Sequence, residues 1–499
     1  MHPRPRWLLK RTACIALAAA SLLAASCTAG ERDPLPARPN ILLIVLDTFR
    51  SDRPGFAGGP AELTPQLDAL ARESTVFDDA VTTMATTFPA HASMFTGLSP
   101  RAHGVRWNGD ALAPEAQTVA ELLRDAGYDT AAFVSLRALL DRGGFAQGFS
   151  TTSADAPAEP GKRGEQRERA ETGKRGEQRE RAETEKRGER SERAETDVWS
   201  SAEITAMAQR WLRDDHDRPF FAWVHYFETH SPYEPTPYSD ARLADYRGLL
   251  ADGADAREIL SARRAILRSP EHLRALRALY DGAVSEVDTH VGALFDTLRD
   301  SGLLERTVVV VTADHGQALG EHGALLHGGL LWDVALRVPL LIRAPGGCAG
   351  CRVRERTGVL DLAPTLLDFA GVETPASMGG RSLATATRGE PLSATPYYAE
   401  TRATPGVDSR VDDSAPSTTA LFLGRHKAIR APGGLLLFDL EADPAELSPL
   451  DPKDHAALAR EASALIAAYE RQQPTRRSTQ LHELEPEAVE ALRALGYLE

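Results

Sequence analysis

Three apolar runs without alternation set the terms for this chain: NILLIVL at 40–46, FFAWVHYF at 220–227 and TVVVVT at 307–312. A strand that is apolar on both sides must be covered on both sides, the situation of a parallel sheet held between helices. Helix-period segments lie between the runs. AQTVAELLRDAGY precedes the strand-like DTAAFV, and residues 272–298 place Leu276, Leu279, Ala283, Val287, Val291, Leu294 and Leu298 on one stripe. The expected fold is therefore α/β, a mostly parallel sheet flanked by helices. In such sheets ligands bind beyond the carboxyl ends of the strands. The first run ends at Asp47, the second is followed by Glu228, Thr229 and His230, and the third ends near Asp314 and His315. These polar residues should converge on one crevice.

After about residue 375 the pattern changes. GRHKAIRAPGGLLLFDLEADPAE reads as strand, turn, strand, which predicts a small C-terminal subdomain with an antiparallel sheet over 376–499. The catalytic domain is expected over 40–375. Within it, residues 155–197 carry an insertion in which GKRGEQRERAET occurs twice and EKRGERSERAET follows. With no apolar face to bury, these repeats are expected to be a solvated loop or a fraying charged helix.

The N-terminus has Arg4, Arg6, Lys10 and Arg11 ahead of TACIALAAASLLAAS and Cys27, a secretory signal over 1–26 that is too short for a stable membrane span. LLAASC resembles a bacterial lipoprotein cleavage box, although Ala24 stands where Leu is usual. Lipidation of Cys27 would anchor an exported protein to a membrane, with residues 27–39 as linker; an ordinary signal peptide cut nearby is the alternative. Of the remaining cysteines, Cys348 and Cys351 sit in GGCAGC, where a short-loop disulfide is favoured over half a zinc site. The net charge of −14 disfavours nucleic acid as partner and suits a carboxylate-lined metal site.

Taken in order, RPNILLIVLDTFRSDRPG, TTFPAHASMFTGLSPRAHGV, FFAWVHYFETHSPYEP, VVVVTADHGQALGEHGALLHGGLLWDVALRVPLLIRAPG, VLDLAPTLLDFAGV and LLLFDLEADPAE resemble the sulfatase family of the alkaline phosphatase superfamily. The resemblance implies an alkaline-phosphatase-like fold and a metal site at Asp47, Asp314 and His315. Two carboxylates and an imidazole suit a divalent cation, with Ca, Mn, Mg and Zn all open. The family pattern at the nucleophile is Cys or Ser, any residue, Pro, Ser, Arg, four residues, Thr-Gly. Counting back from Thr96-Gly97 places Thr87 at the nucleophile, Pro89 at the proline, Ala90 at the serine and His91 at the arginine.

That register carries a departure. The family's Cys or Ser becomes formylglycine, but the β-carbon of threonine bears a methyl group and cannot give that aldehyde, so no formylglycine is expected. Threonine nucleophiles are what phosphodiesterases and phospho-group transferases of the superfamily use. Coordination to a divalent cation lowers a hydroxyl's pKa, and the helix starting near Pro89 would aim N–H groups at an anionic ester. His230 and His327 match substrate-side positions suited to protonating a leaving alkoxide. Asn108 stands twenty-one residues after Thr87, the spacing of an oxyanion-contacting Asn in related phosphodiesterases.

Simpler roles remain for each residue taken singly. Thr87 would serve as a helix cap, Asp47 as a turn residue, and His315 as a histidine behind the ligands. His103 and His322 are explained almost as well by loop structure, and His225 reads as core. A second metal is left open through Glu228, His230 or His327. The expected activity is metal-dependent hydrolysis of an anionic ester, phosphoester favoured. Sulfuric ester hydrolysis, phospho-group transfer and a non-catalytic anion-binding lipoprotein are the alternatives.

Overall fold

The structure, a computed structural model, describes residues 38–155, 198–401, 418–431, 433–471 and 479–480. The leader with Cys27, the linker up to residue 37 and the charged repeats of 161–196 lie outside the described residues. Among the described residues no helix is long and apolar enough to cross a membrane.

The three apolar runs are the wholly buried strands β1 (Asn40–Leu46), β5 (Phe220–Tyr226) and β6 (Thr307–Ala313). They belong to an eight-stranded sheet with β2 (Thr75–Phe77), β3 (Asp129–Val134), β4 (Thr151–Thr152), β7 (Leu340–Arg343) and β8 (Arg352–Val353). The spatial order is β8-β2-β7-β6-β1-β5-β3-β4. β1 pairs in parallel with β5 on one side and β6 on the other, so the segments following all three strands leave the sheet at the same edge. Only β7 runs against its neighbours. The sheet is mostly parallel, as the unbroken apolar runs require.

Helices α1 (Pro65–Arg72), α4 (Ser201–Leu212) and the long α5 (Pro270–Asp300) form one packed group, and α2 (Thr87–Thr96), α3 (Val119–Asp125) and α6 (Leu362–Phe369) another. All seven side chains of the apolar stripe named above are buried in α5. α3 starts at Thr118 with a reciprocal cap from Glu121. The predicted strand–turn–strand is β11 (His426–Ala431) and β12 (Gly434–Asp439), paired antiparallel. β9 (Tyr397–Thr401) and β10 (Thr418–Leu423) complete a four-stranded antiparallel sheet, with α7 (Ala456–Glu470) packed on it. Cys348 and Cys351 are joined as a disulfide.

Candidate active site

Asp47 follows β1, and Asp314 and His315 follow β6. All three are buried, and their ligand atoms lie within 4.8 Å of one another. Two backbone N–H groups, of Thr48 at 3.0 Å and His315 at 2.7 Å, hold Asp314 Oδ1. Among the described residues Asp314 Oδ2 has no hydrogen-bond partner; His315 Nε2 lies 3.5 Å from it and His91 Nδ1 3.8 Å. Burial, then the charge of Asp47, pushes the Asp314 carboxyl up to about 7. His315 Nδ1–H donates to the Gly316 carbonyl at 2.9 Å, which leaves the Nε2 lone pair facing the carboxylates. Burial lowers His315 to about 4, keeping it neutral. Two crowded carboxylates and an imidazole lone pair, shut off from water, make a donor set that a divalent cation fits.

The turn carrying Asp47 is strained. Thr48 is β-branched yet has φ 53°, a conformation that costs about 1–3 kcal/mol. Its hydroxyl donates to the Thr229 carbonyl at 2.6 Å, and Tyr280 Oη donates to the Thr48 carbonyl at 2.9 Å while accepting from Arg50 N at 2.9 Å. The strain therefore sits where neighbouring elements clamp the turn.

Thr87 is the first residue of α2, whose ten residues are all buried. Thr86, at the N-cap, makes no side-chain cap. That task falls to Asn108, whose Oδ1 accepts from Phe88 N at 2.9 Å. The Thr87 hydroxyl lies 3.3 Å from His315 Nε2, and with that nitrogen unprotonated the hydroxyl is the donor. His91 Nδ1–H donates to the Thr87 carbonyl at 2.8 Å. Burial lowers His91 to about 3, so at neutral pH it does not supply the positive charge of an arginine.

His230 Nδ1–H donates to the Ser231 carbonyl at 2.5 Å, and His230 Nε2 faces His327 Nε2 at 2.9 Å. The proton between them therefore resides on His327. Burial holds both imidazoles well below their ordinary pKa. The His327 ring also lies 4.7 Å from that of His315, so Thr87, His315, His327 and His230 form one contiguous series.

Other residues take different places. Glu228 is not gathered with the carboxylates; its Oε1 accepts from Ser201 N at 2.5 Å, a hydrogen-bond acceptor at the start of α4. His103 accepts from Val105 N and contacts Ser93, and His322 stacks on Trp332 with ring centroids 4.0 Å apart. His225, expected as core, is buried, but its Nε2 lies 3.3 Å from Asp47 Oδ2 and its ring 5.2 Å from that of His91. It belongs to the floor of the site. Sequence reasoning missed it because a strand buried on both faces gives no alternation from which to read direction.

The sulfatase family model matches residues 39–372, about two thirds of the chain and every site residue named so far. The chain belongs to the sulfatase family. A second match, to the C-terminal region of N-sulphoglucosamine sulphohydrolase, spans residues 320–468. Among curated relatives, an arylsulfatase of Clostridium perfringens is 26% identical over 383 residues, covering 69% of this chain and 78% of the relative. A choline-sulfatase of Rhizobium meliloti is 29% identical over 456 residues, covering 84% and 85%. The crystal structure of a phosphonate monoester hydrolase of Agrobacterium radiobacter superposes with TM-score 0.65 at 24% identity, covering 90% of this chain and 99% of that one. This sulfatase-family chain is a hydrolase of sulfuric or phosphoric ester bonds, from a family whose enzymes use a divalent metal.

Proposed function

We propose that this chain is an exported, divalent-metal-dependent phosphoester hydrolase, acting on diesters or monoesters, with Thr87 as nucleophile. The observation that carries the reading is the Thr87 hydroxyl, relieved of capping by Asn108 and 3.3 Å from His315 Nε2 beside Asp47 and Asp314. Asp47, Asp314 and His315 would hold the cation, which would supply Lewis-acid charge and lower the pKa of the hydroxyl beside it.

Thr87 Oγ1 attacks phosphorus in line, its proton passing to the neutral imidazole of His327 beside His315, and one P–O bond forms as the bond to the leaving oxygen breaks. His327, having taken up that proton on its remaining lone pair, gives it to the leaving oxygen and returns to the neutral form it shares with His230. The Asn108 oxygen is occupied, so its NH₂ group is what remains to donate to a non-bridging oxygen, together with the start of α2. Water then attacks phosphorus, giving a proton through His327 to Thr87 Oγ1 as the P–Oγ1 bond breaks, and Thr87 is released unchanged. Phosphorus supports that second displacement, whereas formylglycine chemistry is closed to threonine. His91 holds the carbonyl of the nucleophile's own residue and so orients it.

Sulfuric ester hydrolysis is the second reading, favoured by relatives named arylsulfatase and choline-sulfatase. Aryl sulfate, phosphate monoester, phosphodiester and phosphonate ester substrates, each with and without chelator, separate the two. The first reading expects chelator-sensitive turnover of a phosphorus ester that Thr87→Ala abolishes; turnover of sulfate alone contradicts it. Lipidation of Cys27 would place the enzyme on a membrane outside the cytoplasm, and Cys27→Ser should then release it from the membrane fraction.

A further inference from the structure

None of the residues assigned to the reaction comes from the four-stranded antiparallel sheet, yet that sheet reaches the site through two buried ion clusters of opposite polarity. Lys427, on β11, is wholly buried, with Nζ 2.6 Å from both Asp333 Oδ1 and Glu446 Oε1. Asp333 N also donates to Glu446 Oε2 at 2.6 Å. Asp333 begins a short helix, Asp333–Leu336, six residues after His327. The segment between is held at both ends. Gly328 N donates to the Ala85 carbonyl at 2.9 Å, while Leu331, Ala335 and Leu336 pack against Tyr397, Phe422 and Phe438 of the sheet.

Glu400, on β9, is the reverse case. It is buried, and its Oε2 meets Arg101 Nε at 2.9 Å and Arg106 Nη2 at 3.3 Å. Its backbone N donates to the Thr83 carbonyl at 2.9 Å. Arg106 lies two residues before Asn108, and Arg106 N donates to Asp110 Oδ2 at 2.8 Å, closing the turn that presents Asn108. Buried ion clusters are weak contributors to stability, and apolar replacements are often neutral or better. Stability alone therefore does not account for two of them, each ending on a segment that carries a substrate-side residue.

We propose that the antiparallel sheet is a positioning element of the active site. Lys427, through Asp333, sets where His327 sits; Glu400, through Arg101 and Arg106, sets where Asn108 sits. The proposal rests on the reading above, in which His327 protonates the leaving oxygen and Asn108 donates to a non-bridging oxygen. The two clusters then govern different parts of one reaction, and their loss has different signatures.

The test is steady-state kinetics of the metal-loaded full chain on aryl phosphodiesters of graded leaving-group pKa, together with inhibition by orthovanadate. His327→Ala and Asn108→Ala are the references: the first should steepen the dependence on leaving-group pKa, and the second should weaken vanadate binding without changing that dependence. Lys427→Met and the volume-conserving Glu446→Gln should copy the first reference, losing about tenfold in kcat on the poorest leaving groups. Glu400→Gln should copy the second, with about a tenfold weaker vanadate inhibition. In a His327→Ala background, Lys427→Met should add nothing to the slope. If the references behave and the cluster variants instead lose activity uniformly, in step with the folded fraction, the clusters are merely structural and the positioning role is overturned. If the references themselves do not separate, the assignment of His327 and Asn108 falls, and the proposal with it.

Discussion

Thr87 and Asn108 divide between them two tasks that one hydroxyl at a helix start often combines. Asn108 accepts the Phe88 N–H, and Thr87 is left to face His315. Asn108→Ala should cost about 1 kcal/mol of stability as a lost cap. Thr87→Ala, which removes a buried hydroxyl and methyl, should cost no more than about 1 kcal/mol of stability while reducing kcat/KM by at least about a thousandfold. A Thr87→Ala variant that is destabilised yet active would return Thr87 to the role of a cap. The raised Asp314 carboxyl gives a second prediction. With its pKa pushed up to about 7 by burial and by Asp47, the group is protonated below that pH, and a proton then competes with the cation. Cation affinity should fall as pH drops below 7 and level off above it. Calorimetry in buffers of different ionisation heat should show proton release on binding at pH 6 and little at pH 8.5; a pH-independent affinity contradicts this. Asp47, Asp314 and His315 were legible because each ends a buried strand. The left-handed Thr48 and the inward ring of His225 were not, since both depend on contacts with residues about 180 positions away.

At the scale of elements, α2 is a short helix with no exposed face, and it is closed by Gly97 at φ 62°. A Cβ there would enter the left-handed region and meet the Met378 side chain at 3.0–3.3 Å. Gly97→Ala should cost about 1–2 kcal/mol, read as a lowered denaturant midpoint; an unchanged midpoint would mean that the α2 terminus relaxes freely. The Thr-Gly dipeptide that sets the register of the motif is thus also the place where α2 must stop. The long apolar period of α5 and the strand–turn–strand of β11 and β12 were legible because their patterns are local. β9 was not read in advance, and its buried Glu400 pairs through Oε2 with Arg101 and Arg106, some three hundred residues earlier. Glu228 misled for a related reason. Following a strand in sequence, it resembled a site residue, but the start of α4 claims its carboxylate.

Across the whole molecule, parallel pairing of β5, β1 and β6 turns three distant stretches of sequence into one site. That convergence was legible from the runs alone, because only a sheet covered on both faces accommodates them. The contribution of the small sheet was not, because its ion clusters join segments that share no local pattern. A cation bound only by the folded state stabilises it, by about 2.7 kcal/mol at a hundredfold excess over Kd. Chelation should therefore lower the melting temperature as well as abolish turnover, and Asp47→Asn should remove most of the difference between the chelated and metal-loaded melts. An equal shift in Asp47→Asn and wild type would place the cation elsewhere.

The central claim is covalent catalysis by Thr87, and the most direct measurement is mass spectrometry of the peptide containing Thr86 and Thr87 after acid quench of a phosphodiester turnover. The account predicts a phosphoester adduct that fragmentation assigns to Thr87, formed only with metal present and absent from Thr87→Ala. Full metal-dependent turnover with no adduct, or an adduct on Thr86, would contradict it.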